Sequence, residues 1–248
     1  MPQPLSLHRE PDGTGGPDAW RRPEGGGGGS PSPQRDGSPP HEPAIRAPWP
    51  ALLLAAACPL GYALQHLGGP PLAAADRLGF RPSLLAEGGW TGLLTALFVH
   101  AGWTHAWLNG LAALAFGAPV SRRLGTRPTG AAQFLLFFVA CGVVGSLGFA
   151  LPHLHDPSVL VGASGGIAGL MGAASRMTPP VGAGLLPLNS RPVLIMAGSW
   201  IAVNAVFALV GLDLGTSGAP LAWEAHLAGY AAGLFAIGPV LRWTNARA

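Results

Sequence analysis

The chain contains no lysine, and charged residues occupy only 10% of its 248 positions, against roughly 25% in ordinary soluble domains. Its 14 basic residues are therefore all arginines, and they form no basic face with polar surroundings, which excludes nucleic-acid binding. Cysteine is also scarce: Cys58 and Cys141 lie in separate apolar runs, so we expect packing residues rather than a disulfide. Hydrophobic residues make up 49% of the chain, a composition that indicates a membrane protein.

Residues 1–47 differ from the rest of the chain in composition. Gly, Pro, Ser and charged residues dominate them, as in the stretch EGGGGGSPSP. Such a segment cannot bury enough apolar surface to fold, and it lacks the apolar core of a secretory signal. We predict a disordered cytoplasmic tail over residues 1–47 and a membrane domain over residues 48–248.

Six apolar segments follow the tail, each long enough to cross a hydrocarbon core about 30 Å thick as a helix. Backbone groups cannot stay unpaired in lipid, so helices are the expected structure. The loop between the first two segments, residues 68–102, is itself partly apolar, and we expect it to be embedded. The predicted spans are Trp49 to Leu67, Trp103 to Val120, Ala131 to Ala150, Val161 to Met177, Pro192 to Gly211 and Trp223 to Leu241.

The arginines predict the orientation of these six spans. With an even number of spans both termini lie on one side, and that side holds 12 of the arginines, whereas the other holds only Arg77 and Arg81. Cytoplasmic loops carry the excess of positive charge. We therefore expect a multi-pass protein of a bacterial-type inner membrane with both termini in the cytoplasm.

A few polar side chains lie inside the apolar segments, where they are costly and are candidates for function. They are His100, His105, Asn109, Ser164 and His226. Two of them, His105 and Asn109, are four residues apart and would share one face of a helix. A serine becomes nucleophilic when a histidine takes its proton, and Asn, His and backbone N–H groups can stabilise an oxyanion.

Simpler interpretations exist for each residue taken alone. A membrane serine often bonds a carbonyl of its own helix, and a membrane histidine often serves packing or a proton relay. The segment PHLHD, with His153, His155 and Asp156, could touch a metal, although a solvated loop is the simpler interpretation. No H-E-x-x-H pattern is present, which argues against a zinc protease.

The combination of motifs resembles the rhomboid family of intramembrane serine proteases, from Trp49 to the C-terminus. The matching motifs lie in order on the second, fourth and sixth predicted spans. They are H-x-x-x-N as His105 and Asn109, G-x-S-G as Gly162, Ala163, Ser164 and Gly165, and A-H-x-x-G as Ala225, His226 and Gly229.

The resemblance implies an all-α membrane protein, a bundle of six transmembrane helices, with a Ser/His dyad. Ser164 would be the nucleophile and His226 the base, while His105, Asn109 and the Ser164 N–H would form the oxyanion site. Supporting positions are His100, Gly162, Gly165 and Gly229. No third acid is expected, and Glu224, two residues from His226, would point about 200° away from it on a helix.

Two positions depart from the family pattern. In the first external loop many rhomboids carry Trp-Arg, whereas this chain has Trp90 followed by Thr91. Many rhomboids have a tyrosine four residues after the serine, stacked on the histidine, whereas this chain has Ala168. We therefore expect another side chain to support His226, or a ring that is held more loosely.

The predicted function is cleavage of single-span membrane proteins within the bilayer, without a metal or organic cofactor. Two alternatives stay open: a catalytically inactive rhomboid-like protein that binds transmembrane helices, and a small-molecule transporter. The transporter would be favoured by inverted repeats of broken helices, and the sequence shows none.

Overall fold

The computed structural model describes residues 47–67, 69–177, 184–211 and 221–245. Their repetitive structure is helical, and their extended backbone pairs at one isolated bridge, between Phe80 and Leu160. The all-α class predicted from the sequence is therefore confirmed over these ranges. The predicted disordered tail lies outside them, except for its last residue.

The described residues form eight α-helices, and short 3-10 turns lie between residues 82 and 98. The turns are Pro82–Glu87, Gly89–Thr91 and Ala96–Phe98. The helices are α1 (Trp49–Leu67), α2 (Pro71–Leu78), α3 (Gly92–Thr95), α4 (Trp103–Leu124), α5 (Pro128–His153), α6 (Ser164–Ala174), α7 (Arg191–Val210) and α8 (Trp223–Asn245).

Five of the six predicted spans are present as long helices, with ends that lie within a few residues of the prediction. Helix α1 has the predicted bounds, α7 is shifted by one residue, and α4, α5 and α8 are somewhat longer. Among the described helices α1, α5 and α7 are long and apolar enough to cross a membrane. The chain is a multi-pass membrane protein, and the total of six spans stays a prediction.

The fourth predicted span, Val161 to Met177, is wrong in its length. Helix α6 has only 11 residues, about 16 Å at 1.5 Å per residue, which is half of a hydrocarbon core. The residues before it are held in extended backbone, since Leu160 pairs with Phe80 and the Gly162 N–H donates to the Ala96 carbonyl at 2.9 Å. Gly162 has a φ of +118°, which is incompatible with a right-handed helix.

Helix α6 lies at the centre of the bundle, where it packs against α4, α5 and above all α8. Every residue from Gly165 to Ala173 is buried. A Cβ atom added to Gly229 would collide with the Gly165 carbonyl, and one added to Gly233 would collide with the Gly169 carbonyl. The two glycines of α8 thus allow the close approach of the two backbones.

The segment between α1 and α4 folds back onto the bundle. Phe80, Leu93 and Ala96 are buried in one apolar cluster with Phe149 on α5 and Ala225 on α8. The partly apolar loop predicted from the sequence is therefore an ordered part of the fold. Phe80 and Ala96 of this segment form the backbone hydrogen bonds that keep the residues before α6 extended.

Helix α7 is the least buried of the long helices. Its buried residues are Val193 and Asn204, and among the described elements it packs mainly on α8. An apolar exposed surface is expected of a helix that faces lipid. A buried asparagine is not expected on such a helix, and Asn204 lies next to His226 on α8.

Cys58 and Cys141 are both free and buried in the main apolar core. The prediction of packing residues without a disulfide is confirmed.

Candidate active site

Ser164 is the first residue of α6, at the point where extended backbone becomes helix. The N–H groups in the first turn of a helix have no acceptor within the helix, and they lie at the positive end of its dipole. Glycine is favoured at position 162, two residues before the serine, because its φ is positive and a Cβ atom there would press on the His105 ring. The glycine-flanked serine is thus the start of a helix rather than an interruption within one.

His105 lies in the first turn of α4, and its ring borders the same glycine as Ser164. A Cβ atom placed on Gly162 would be 2.7 Å from His105 Nε2 and 3.8 Å from Ser164 Oγ, so both atoms border this glycine. The Ala101 N–H donates to His105 Nδ1 at 3.4 Å. Because a neutral imidazole carries one proton, an acceptor at Nδ1 places the N–H at Nε2, toward the serine.

Asn109 lies one turn further along α4 and is only 5% exposed. Its Nδ2 donates to the His105 carbonyl at 2.9 Å, a bond within its own helix. An amide nitrogen carries two hydrogens. One of them is therefore engaged with the helix, and the other is left for the cavity that Asn109 lines.

His226 lies near the start of α8 and is 6% exposed. Its Nδ1 is 2.9 Å from Asn204 Oδ1 on α7. The Trp200 ring lies beside it, with ring centroids 5.8 Å apart and planes tilted by 41°. These are the supporting side chains that the sequence left unnamed, and Asn204 in particular was missed.

Two cavities bring these groups together. The larger cavity, of about 410 Å³, is lined by His105, Ser164 and His226. The smaller cavity, of about 170 Å³, is lined by the same three residues and by Asn109. The four side chains predicted to act in catalysis therefore meet at the smaller cavity, although they come from α4, α6 and α8.

His153 on α5 and Glu224 on α8 line the larger cavity, and His153 also contacts Asp156 in the loop after α5. His153 Nδ1 lies 2.7 Å from Asp156 Oδ2, and His153 Nε2 lies 3.4 Å from Glu224 Oε1. Hydrogen bonds from the Ser158 side chain, His153 and the Ser158 N–H lower the pKa of Asp156 to about 2. Glu224 thus pairs with His153, and as expected it does not orient His226.

His100, predicted as a supporting residue, lies behind His105 rather than in the described cavity linings. Its side chain is 1% exposed, and its ring meets the His105 ring edge-on with centroids 5.2 Å apart. The Gln65 amide holds the His100 backbone with two hydrogen bonds, at 2.9 and 3.0 Å. His100 therefore packs against the His105 ring.

Comparison with known proteins identifies relatives of this chain. The family model of the Rhomboid domain matches residues 87–243. YdcA of Bacillus subtilis (strain 168), named as a candidate rhomboid protease, is 38% identical over 88 residues. The rhomboid protease GluP of the same organism is 30% identical over 155 residues. The matches cover 36% and 62% of this chain, but only 41% and 27% of those relatives.

Proposed function

The chain belongs to the rhomboid family, and on this premise we propose that it is an intramembrane serine endopeptidase in which Ser164 is the nucleophile and His226 the general base. The observation that carries the proposal is the meeting of Ser164, His105, Asn109 and His226 at the cavities around the start of α6. The names of the two relatives support the same reaction class.

In the first step the Ser164 hydroxyl attacks the carbonyl carbon of the scissile peptide bond while His226 Nε2 takes its proton. This requires a hydrogen bond between the hydroxyl and the ring. Such bonds are often long before substrate binds and tighten in the complex. The backbones of α6 and α8, which carry the two groups, pack closely at Gly165 and Gly229, and both side chains line the same cavities.

The attack places a negative charge on the carbonyl oxygen, and three N–H donors of the site would stabilise it. They are His105 Nε2–H, the free hydrogen of Asn109 Nδ2 and the Ser164 backbone N–H at the start of α6. Donors that are already in place stabilise this charge without reorganisation, which is often the largest contribution to catalysis. The dipole of α6 acts in the same direction.

Collapse of the intermediate breaks the C–N bond and transfers the proton from His226 to the leaving amine. Water then attacks the acyl-enzyme, with His226 again as the base, and releases Ser164. We expect this water to enter through the larger cavity, which is lined by His153 and Glu224 as well as by Ser164 and His226.

The substrates proposed for this site are single-span membrane proteins. A peptide bond in a helix is shielded by its own hydrogen bonds, so the substrate must unwind locally before attack. We place the protein in a bacterial-type inner membrane, with six spans and both termini in the cytoplasm, since the arginines concentrate on that side.

Fluorophosphonate labelling in membranes or detergent tests the proposal without the natural substrate. We expect the probe to label the wild-type chain at Ser164, and Ser164→Ala and His226→Ala each to abolish both labelling and cleavage of a single-span reporter. Both variants should keep wild-type thermal stability. Turnover by folded Ser164→Ala would refute the assignment, and a wild-type chain that neither takes the probe nor cleaves would indicate an inactive helix-binding protein.

A further inference from the structure

Asn204 is a buried polar residue on a helix that is otherwise mostly exposed. Its side chain is 1% exposed, while most of α7 faces outward. A buried amide costs free energy unless its oxygen and nitrogen find partners. The Asn204 side chain has a partner for each: Nδ2 donates to the Trp200 carbonyl at 2.9 Å, and Oδ1 lies 2.9 Å from His226 Nδ1.

The first of these bonds determines which atom faces the histidine. The Trp200 carbonyl can only accept a hydrogen bond, so the amide nitrogen must point toward it. A flipped amide would set two acceptors against each other at 2.9 Å. The Asn204 oxygen therefore faces His226, and the structure of α7 itself orients the amide.

An acceptor at this position determines the tautomer of His226. The Asn204 oxygen can bind Nδ1 only if Nδ1 carries the proton. A neutral ring has one proton, so Nε2 is left with a lone pair, and Nε2 is the nitrogen that must accept the proton of Ser164. The opposite tautomer would present an N–H to the serine and would leave Asn204 Oδ1 facing a second acceptor.

Trp200 completes the support on the other side. Its ring packs against a buried cluster of Ala168, Met171 and Tyr230 and lies beside the His226 ring. An aromatic side chain from α7 thus occupies the surroundings of Ala168, where many rhomboids carry a tyrosine. One turn of α7, from Trp200 to Asn204, both packs and orients the histidine.

We propose that Asn204 is a positioning residue of the catalytic site, which holds His226 in the orientation and tautomer that let Nε2 act as the base. Asn204 lies in the lining of neither cavity described above, so it acts through His226 and does not touch substrate. The inference rests on the proposed function. It extends the Ser/His dyad to a Ser–His–Asn relation in which the third member is a neutral amide on α7.

Three α7 variants separate positioning from structural support. Asn204→Leu has a similar size and no acceptor. Asn204→Asp retains an oxygen toward His226, and its carboxyl group keeps the bond to the Trp200 carbonyl when it is protonated in this buried position. Ser199→Ala removes an exposed polar group from the same helix and is the matched control. For Asn204→Leu we expect kcat to fall on the order of 10- to 100-fold, by analogy with the loss when the partner that orients a metal-bound histidine is removed. KM should change little, because substrate contacts are unaffected.

The tautomer itself is measured by NMR on chains labelled with ¹⁵N-histidine, with the His226 signals assigned by their loss in His226→Gln. At a pH of about 8, above the ordinary histidine pKa of about 6.5, the wild-type ring should carry its proton on Nδ1. Asn204→Leu should lose this preference, whereas Asn204→Asp should keep it and recover most of the lost kcat. Ser199→Ala should match the wild type in both measurements.

A wild-type His226 with its proton on Nε2 would overturn the proposal without any variant, and so would an Asn204→Leu chain with unchanged tautomer and kcat. If Asn204→Leu does not fold, the wild-type tautomer and the Asn204→Asp chain still decide the question. Failure of the proposed function would be seen separately, as a folded wild-type chain in which Ser164 takes up no fluorophosphonate.

Discussion

Replacing Asn109 by alanine removes one of the three N–H donors proposed for the oxyanion and leaves Ser164 and His226 in place. The second hydrogen of Asn109 Nδ2 is donated to the His105 carbonyl of the same helix, at an N···O distance of 2.9 Å. The side chain therefore does not tie α4 to a neighbouring helix through that bond. Its structural and catalytic contributions should differ in size.

The two contributions can be compared in free energy. Loss of the bond to the His105 carbonyl should cost about 0.5–1.5 kcal/mol of stability, the net value of an ordinary hydrogen bond. Loss of one oxyanion donor should lower kcat by about 10²–10³, equivalent to about 2.7–4 kcal/mol. Catalysis should thus fall much more than stability.

The assay measures turnover of a single-span reporter, fluorophosphonate labelling and thermal unfolding on one preparation of Asn109→Ala. Labelling should continue at a reduced rate, because the groups that activate the serine are retained. Gln133→Ala, which removes a partly buried amide from α5 outside both cavities, is the control and should leave turnover unchanged. A variant with normal turnover and a lowered melting temperature would refute the oxyanion role and make Asn109 structural.

Two glycine substitutions test the geometry on which the site depends. Gly162→Ala should lower kcat by more than tenfold, since the added methyl group would press on the imidazole of α4 and strain a positive φ; Gly88→Ala, with a positive φ and open space around it, controls for the strain alone and should retain activity. Gly229→Ala should destabilise the protein by about 1–3 kcal/mol, because its methyl group would collide with a carbonyl of α6, whereas Gly198→Ala on α7 meets no atom and should leave the melting temperature unchanged or raised. Equal effects within either pair, measured by reporter turnover and thermal unfolding, would contradict the packing argument.

The positions of the long helices were predictable from the sequence because their cause is local. In lipid each backbone group must be paired within its own segment, so a long apolar run becomes a helix, as α1 did with its predicted bounds. The shared face of His105 and Asn109 was predictable for the same reason, since a spacing of four residues gives one face of any helix. The order of the three motifs along the chain led to the family.

The break before Ser164 was not predictable from hydropathy. It depends on the bridge between Phe80 and Leu160 and on the bond from Gly162 to Ala96, partners that lie more than 60 residues apart in the chain. An average of hydrophobicity over Val161 to Met177 carries no information on either contact or on the sign of φ. It therefore predicted one long helix where the fold has a short one.

The support of His226 was likewise decided by tertiary structure. A single asparagine in the run WIAVNAVFALV belongs to no motif, and its only signal in the sequence was its polarity within an apolar span. The packing of α7 on α8 brings Asn204 within 2.9 Å of the ring. The sequence by itself thus determined the long helices and the kinds of polar group available at the candidate site, because these follow from local chemistry. The fold decided their distances and the contact of Asn204 with His226, because these depend on which helices touch.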